Sequence, residues 1–94
     1  MLHLIRQSPY QQDISSELST LISNDDDVLL IDDGVYFCQS LHFAIIQEKA
    51  KNILIVDEHL QARGITFEKA DSLLPFAQIA EILVQSEKTL TWQL

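Results

Sequence analysis

The chain is poor in the residues that build staples, loops and cationic surfaces. Its 94 residues include one cysteine, two glycines, two prolines and one tryptophan, and six basic residues stand against 14 acidic ones. A single cysteine, Cys38, rules out an intrachain disulfide and any zinc site made of several cysteines. Two glycines, Gly34 and Gly64, cannot form a glycine-rich phosphate loop. The net charge of −8 argues against direct nucleic-acid binding, which rests on clustered Lys and Arg. Such acidity serves solubility and sometimes a basic partner protein. Long hydrophobic runs are missing too: unbroken apolar stretches stop at four residues, far below the ~20 needed to cross a bilayer. The opening "MLHLIRQSP" lacks the apolar core of a signal peptide, so no membrane association is expected and the expected location is the cytoplasm. His3, His42 and His59 show no ligand spacing. His42 lies four positions from Cys38 without a further partner, and two residues do not make a structural zinc site. No metal or cofactor is expected.

What the chain does have is 47% hydrophobic residues, which with so little Gly and Pro indicates a packed globule. Residues 1–94 read as one domain. A domain this small buries about 60–65% of its unfolded surface, so a partner subunit would add stability. The pattern centres on "DDDVLLIDDGVYF", Asp25–Phe37. Val28–Ile31 is a continuous apolar run, too short for a helix, of the kind found in parallel strands buried on both faces. It stops at Asp32-Asp33-Gly34, and a helical pattern then runs from Val35 to about Glu48. Asp32 and Asp33 are therefore expected at the carboxyl rim of the sheet, where ligands and partners gather in open α/β folds. Gly34 is expected to adopt a backbone conformation that other residues reach only with strain, with Asp33 ordering the same turn.

Around this centre, Leu2–Ile5 reads as a first strand. Ser8, Pro9 and Gln11 have the spacing of a capped helix start, with Ile14, Leu18, Leu21 and Ile22 on one face and Asn24 as its end. Asp25–Asp27 read as a solvated loop. Asn52–Val56 is a third strand, Asp57 caps a short helix stopped by Gly64, and Ala70–Leu74 is a weaker strand. Pro75 opens a last helix with Phe76, Ile79, Ala80, Leu83 and Val84 at helical period. Thr89–Gln93 alternates as an edge strand, with Leu90, Trp92 and Leu94 on one side. The expected fold is a three-layer α/β/α sandwich on a mostly parallel sheet of about five strands.

The helix expected over Val35–Glu48 is apolar nearly all round. At about 100° per residue, Val35, Cys38, Leu41, His42, Ile45 and Ile46 share one broad face. Tyr36 and Phe43 lie on another flank, and Phe37 points roughly opposite. A helix covering one sheet face should be polar outside, so Tyr36, Phe37 and Phe43 are expected at a subunit interface; the alternative is that these aromatics lie flat over the core edge.

Catalytic candidates are weak. Asp32, Asp33 and Asp57 stand at strand ends as in magnesium-dependent phosphoacceptor domains. Only 24 residues separate Asp33 from Asp57 and no Lys follows "SLLPF", so turn and capping duties explain them better. Cys38 falls among apolar and acidic neighbours, whereas a reactive thiol needs nearby positive charge; it reads as core.

The segments "LHLIRQSP", "VLLIDDGVYF" and "VDEHLQARGI" and the terminal Trp92, in that order over nearly the full length, resemble the TusB/DsrH family. Ser8-Pro9, Asp33-Gly34-Val35 and Ala62-Arg63-Gly64 are specific together rather than singly, and Ile65–Leu74 matches poorly. The resemblance implies a DsrEFH-like fold and a non-catalytic B subunit of a TusBCD-type sulfur relay. In that family a cytoplasmic heterohexamer, a dimer of trimers, passes persulfide sulfur towards 2-thiouridine at the wobble position of certain tRNAs. The partners it implies are TusC- and TusD-like homologous subunits, the relay cysteine belonging to the D-type chain; a homodimer is the option in isolation. "DISSELSTLIS" holds no cysteine, where relatives in sulfur oxidisers can carry one, which favours the thiolation branch over an H-type subunit of a sulfur-oxidation complex. No family cysteine maps onto Cys38. The competing function is an independent small sulfurtransferase or thiol carrier using Cys38.

Overall fold

The computed structural model describes residues 1–93; Leu94, placed by the sequence pattern beside Leu90 and Trp92, lies outside the described residues. Five strands, β1 (Leu2–Ile5), β2 (Asp27–Leu30), β3 (Asn52–Val56), β4 (Leu73–Leu74) and β5 (Thr89–Trp92), form one sheet in the order β4-β3-β2-β1-β5. Every pairing is parallel. The central strand is β2, and it and its neighbour β1 are buried from end to end except for the partly covered Asp27. The fold class is therefore the expected α/β, with β5 at an edge as its alternating pattern indicated.

Alternation along the strands feeds two cores on opposite faces. Ile5, Val28, Leu30 and Ile55 face one side, where they pack with Ile14 and Leu18 of the first helical region, Phe37, Phe43, Ile46 and Leu60. Leu2, Leu4, Leu29, Ile31, Val56 and Leu74 face the other, covered by Ile79 and Ile82. The first face carries α1 (Ser15–Leu21), α2 (Phe43–Lys49) and α3 (Asp57–Ala62); the second carries α4 (Ile79–Gln85).

Several local expectations are corrected. Ser8 does not open α1; its hydroxyl accepts the Tyr10 N–H in a tight turn, and the N-terminal carboxylate of the helix is Asp13, whose Oδ1 accepts the Ser15 N–H at 2.9 Å and hydroxyl at 2.7 Å. The helix ends at Ile22, which turns extended, rather than at Asn24. Its buried line is Ile14, Leu18 and Ile22, with Leu21 half exposed. The strand expected over Ala70–Leu74 shrinks to two residues behind a 3-10 turn. In the last helix Ile79 is buried and Ile82 partly so. Phe76, Leu83 and Val84 point outward, Val84 at 85% exposure, because a seven-residue helix touches the sheet along one i, i+3 line only.

The largest correction concerns Val35–Glu48. It is not one helix but a 3-10 run over Asp32–Gln39, an extended break at Ser40, and then α2. Ser40 offers its hydroxyl to the His42 N–H at 3.0 Å, the local competition by which Ser interrupts helices. A 3-10 run repeats every three residues, which puts Gly34 with Phe37 and Val35 with Cys38. The broad face calculated for a continuous α-helix does not form, and Leu41 stands 95% exposed. Phe37 is fully buried and Phe43 nearly so, the latter edge-on to Phe67 at 5.5 Å. Both belong to the core of this chain, so the exposed aromatic cluster inferred for an interface reduces to Tyr36.

Candidate functional site

The parallel sheet directs the ends of β1, β2 and β5 to one rim, and the residues just beyond them are charged or carry amides. Arg6 and Gln7 follow β1, Asp32 and Asp33 follow β2, and Gln93 follows β5. With Gln11 and with Arg63 from the end of α3, they line an open depression of about 410 Å³. Asp32 and Asp33 are thus at the expected rim.

Each aspartate there is already engaged. Arg6 Nε donates to Asp32 Oδ2 at 2.9 Å, and its terminal nitrogen reaches Gln93 Oε1 at 3.2 Å. Arg63 approaches Asp33 Oδ1 through both Nε and Nη2 at 3.0 Å, while its Nη1 donates to the His59 carbonyl at 3.2 Å. Asp33 therefore ties the turn after β2 to α3. His59 Nδ1 accepts the Asp32 backbone N–H at 2.8 Å, which requires the proton of the neutral ring to be on Nε2. Among the described residues Asp32 is the non-glycine residue with positive φ, at 51°, a left-handed conformation that Asp adopts more readily than most.

Gly34 serves this turn for a reason other than the one expected. Its φ is not in the left-handed region; Gly64, at +67°, is the glycine there. A Cβ on Gly34 would instead collide with the Ile5 carbonyl, so glycine is required by the close approach of the 3-10 run to the end of β1. Tyr36, two residues on, is stacked between Arg63, whose guanidinium carbon lies 6.0 Å from its ring centre, and Tyr10, edge-on at 6.1 Å. Tyr10 is 62% exposed, so an aromatic pair opens to solvent beside the rim.

Cys38 is half-buried against the first core. Burial pushes its thiol up to about 12, far from the depressed values of reactive thiolates. Asp57 is remote from a phosphoacceptor role: it opens α3 and accepts Gln61 Nε2 at 3.0 Å. Among the described residues no group of three or more His, Cys, Asp and Glu side chains could hold a metal ion. No helix among them is long and apolar enough to cross a membrane.

Sequence reasoning missed one polar set. Asp26, read as part of a solvated loop, is buried, and accepts from His3 Nε2 at 2.9 Å and from the Ser23 N–H at 3.0 Å. His3, fully buried in β1, accepts the Trp92 indole N–H on Nδ1 at 3.1 Å. Burial alone would raise the Asp26 carboxyl, but the Ser23 N–H, His3 and the Met1 ammonium, 3.2 Å from Oδ1, together outweigh it and hold it far below the usual carboxylate range. The signal was available: a histidine between Leu2 and Leu4 in a strand buried on both faces must find partners.

The fold and rim define a class of protein: a small, wholly parallel α/β domain with an ion-paired carboxyl rim and a half-buried cysteine. The family described as "DsrH like protein" matches residues 7–89, and the chain belongs to that family. It is 25% identical over 96 aligned residues to Protein TusB of Yersinia pestis strain Pestoides F, across 98% of this chain and 100% of the relative. The same figures hold for Protein TusB of Yersinia pseudotuberculosis serotype O:1b. The solution NMR structure of protein Tm0979 from Thermotoga maritima superposes with a TM-score of 0.58 at 18% identity, over 94% of this chain and 97% of that one, a likeness of fold.

Proposed function

We propose that this chain is a non-catalytic subunit of a cytoplasmic TusBCD-type sulfur-relay complex, assembled with C- and D-type homologues and supporting 2-thiolation of the tRNA wobble uridine. Its full-length similarity to proteins named TusB supports this reading. The observation that carries the non-catalytic part is Cys38: with its thiol pushed up to about 12, almost none is thiolate near neutral pH, and the thiolate is the nucleophile. The same fact weighs against an independent thiol carrier. Tyr36 and its exposed neighbour Tyr10 are the aromatic pair proposed to meet a partner chain, since aromatic residues are enriched at interface centres.

The test is complementation. A strain lacking the chain is supplied with the wild type or with Cys38→Ser, and tRNA 2-thiouridine is measured alongside co-purification of the two homologues. Both versions are expected to restore thiolation and to bring down the same partners. A folded Cys38→Ser protein that assembles but leaves tRNA unthiolated would overturn the non-catalytic assignment, and failure of the wild type to co-purify with either homologue would overturn the assembly.

A further inference from the structure

The two edges of the sheet are finished differently. β4 is two residues long, and a very short edge strand is one of the devices that keep an edge from pairing with another chain. β5 has no such device: Thr89–Trp92 runs beside β1 in unbroken register and holds no proline, no bulge and no charged side chain. Its ladder to β1 fixes which backbone groups are left over. The Leu2 N–H donates to the Lys88 carbonyl at 2.8 Å, and the Arg6 N–H to the Trp92 carbonyl at 2.9 Å. Alternate residues of a parallel strand address the same neighbour, so Leu90 and Trp92 face β1. Thr89, Thr91 and Gln93 turn their N–H and C=O groups outward, where among the described residues no further strand lies.

We propose that this edge pairs with the same edge of a second copy of the chain, antiparallel, about a two-fold axis at Thr91. A second copy fits because the edge is complementary to itself. Antiparallel strands exchange both N–H···O bonds between directly opposed residues, so outward-facing residues must meet outward-facing residues. Centring the pair on Thr91 uses all of them: Thr91 meets Thr91 of the second copy, and Thr89 meets Gln93 in both directions. The same register sets Leu90 of each copy opposite Trp92 of the other, on the face of the first core against which Trp92 packs. Leu90 is 38% exposed, and the pairing covers it with an indole; aromatic pairs of this kind and Thr–Thr pairs are both favourable across strands. A net charge of −8 opposes self-association elsewhere on the surface, but Thr89–Gln93 carries no charge, so no like charges are set directly opposite here. This inference concerns the chain by itself, goes beyond the assembly reading and does not depend on it.

The experiment is sedimentation velocity of the isolated full chain over a concentration series, with isotope-filtered NMR on a mixture of labelled and unlabelled chains. The wild type is expected to show a reversible monomer–dimer equilibrium, with cross-chain contacts between the α-protons of Leu90 and Trp92. Thr91→Lys sets like charges directly opposite across the axis and should weaken the dimer at least about tenfold, less so at high salt. Thr91→Pro removes an outward N–H that serves no bond within the chain, a place where an edge strand tolerates proline, and should abolish the dimer. Thr91→Lys, on an exposed side chain, decides the matter should Thr91→Pro not fold. A monomer at every concentration, an undiminished dimer in a folded variant, or a dimer without the Leu90–Trp92 contacts would each overturn the proposal. Co-purification with homologues is scored separately, so a failure here leaves the assembly reading standing.

Discussion

Gly34 and Gly64 show how one residue type meets two different physical demands in this chain. At Gly64 the backbone is left-handed, with nothing within 4 Å of where a Cβ would stand. Alanine there should cost about 1–2 kcal/mol, the penalty of that conformation for an L-residue, and asparagine, which tolerates it, should cost less. At Gly34 the obstacle is the Ile5 backbone carbonyl, which cannot rotate away as a side chain would. Alanine and asparagine should both be harmful there, by about 1–3 kcal/mol as overpacked sites are, with valine no better than alanine. Urea unfolding midpoints of the four variants Gly34→Ala, Gly34→Asn, Gly64→Ala and Gly64→Asn test this. A rescue by asparagine at position 34 would return that glycine to a conformational role. Cys38 is decided at the same scale. Its neighbours named it as core, and the pKa pushed up to about 12 predicts slow alkylation of the native protein that becomes fast and stoichiometric in denaturant; rapid native labelling would contradict that.

Between elements, the His3–Asp26–Trp92 chain is what polar side chains add to the backbone ladders. It joins the loop before β2, the middle of β1 and the end of the edge strand β5. Because an indole only donates, His3 Nδ1 must accept from Trp92 and Nε2 must carry the proton towards Asp26. The Asp26 carboxyl is depressed in the folded state, so its stabilising contribution is fully present above the unfolded carboxylate value of about 4. That contribution is lost as pH falls below this value towards the folded one. Asp26→Asn should therefore lower stability at pH 7 by about 1.5–3 kcal/mol, as for a hydrogen bond to a charged group. The gap from wild type should narrow as the pH is taken down through 4 to 3. Urea titrations across that range check the sign; a gap that widens in acid would mean that Asp26 is not the charged partner. The break at Ser40 belongs to this scale as well. Periodicity could not reveal it, because the hydroxyl that interrupts the helix leaves no trace in a hydrophobic pattern.

For the whole molecule, the split of apolar residues into two cores on opposite faces of one parallel sheet revises which side chains are free to meet a partner. Phe43 lies against Phe67 inside the first core, so replacing it with a polar residue would disrupt folding; truncations of buried Phe cost about 3–5 kcal/mol. Tyr36 is only half-buried and its hydroxyl-bearing ring leans on Tyr10 and Arg63. Tyr36→Ser is accordingly expected to keep the circular dichroism of the wild type while weakening assembly with the proposed homologous subunits. Phe43→Ser should lose the folded signal. Sedimentation velocity of each variant with the co-expressed homologues separates the two, and undiminished assembly by a folded Tyr36→Ser chain would remove Tyr36 from the interface.

The sequence by itself determined the elements whose signal is local. The runs Leu2–Ile5, Val28–Ile31 and Asn52–Val56 marked the strands to within a residue, because a strand covered on both faces reads as a nearly continuous apolar run. The acidic pair after the central strand and the helix stop at Gly64 were legible for the same local reason, as was the family resemblance carried by those segments. Tertiary structure alone decided the strand order, the partners of Asp32, Asp33 and Asp26, the burial of Phe37 and Phe43, and the ground for glycine at position 34. Each of these depends on a group distant in sequence: Arg6 on Asp32, Arg63 on Asp33, His3 on Asp26, Phe67 on Phe43 and the Ile5 carbonyl at Gly34. A hydrophobic period records whether a residue faces a core, but contacts across 23 to 30 positions, as between these acidic residues and their partners, exist only once the parallel sheet has brought its strand ends together.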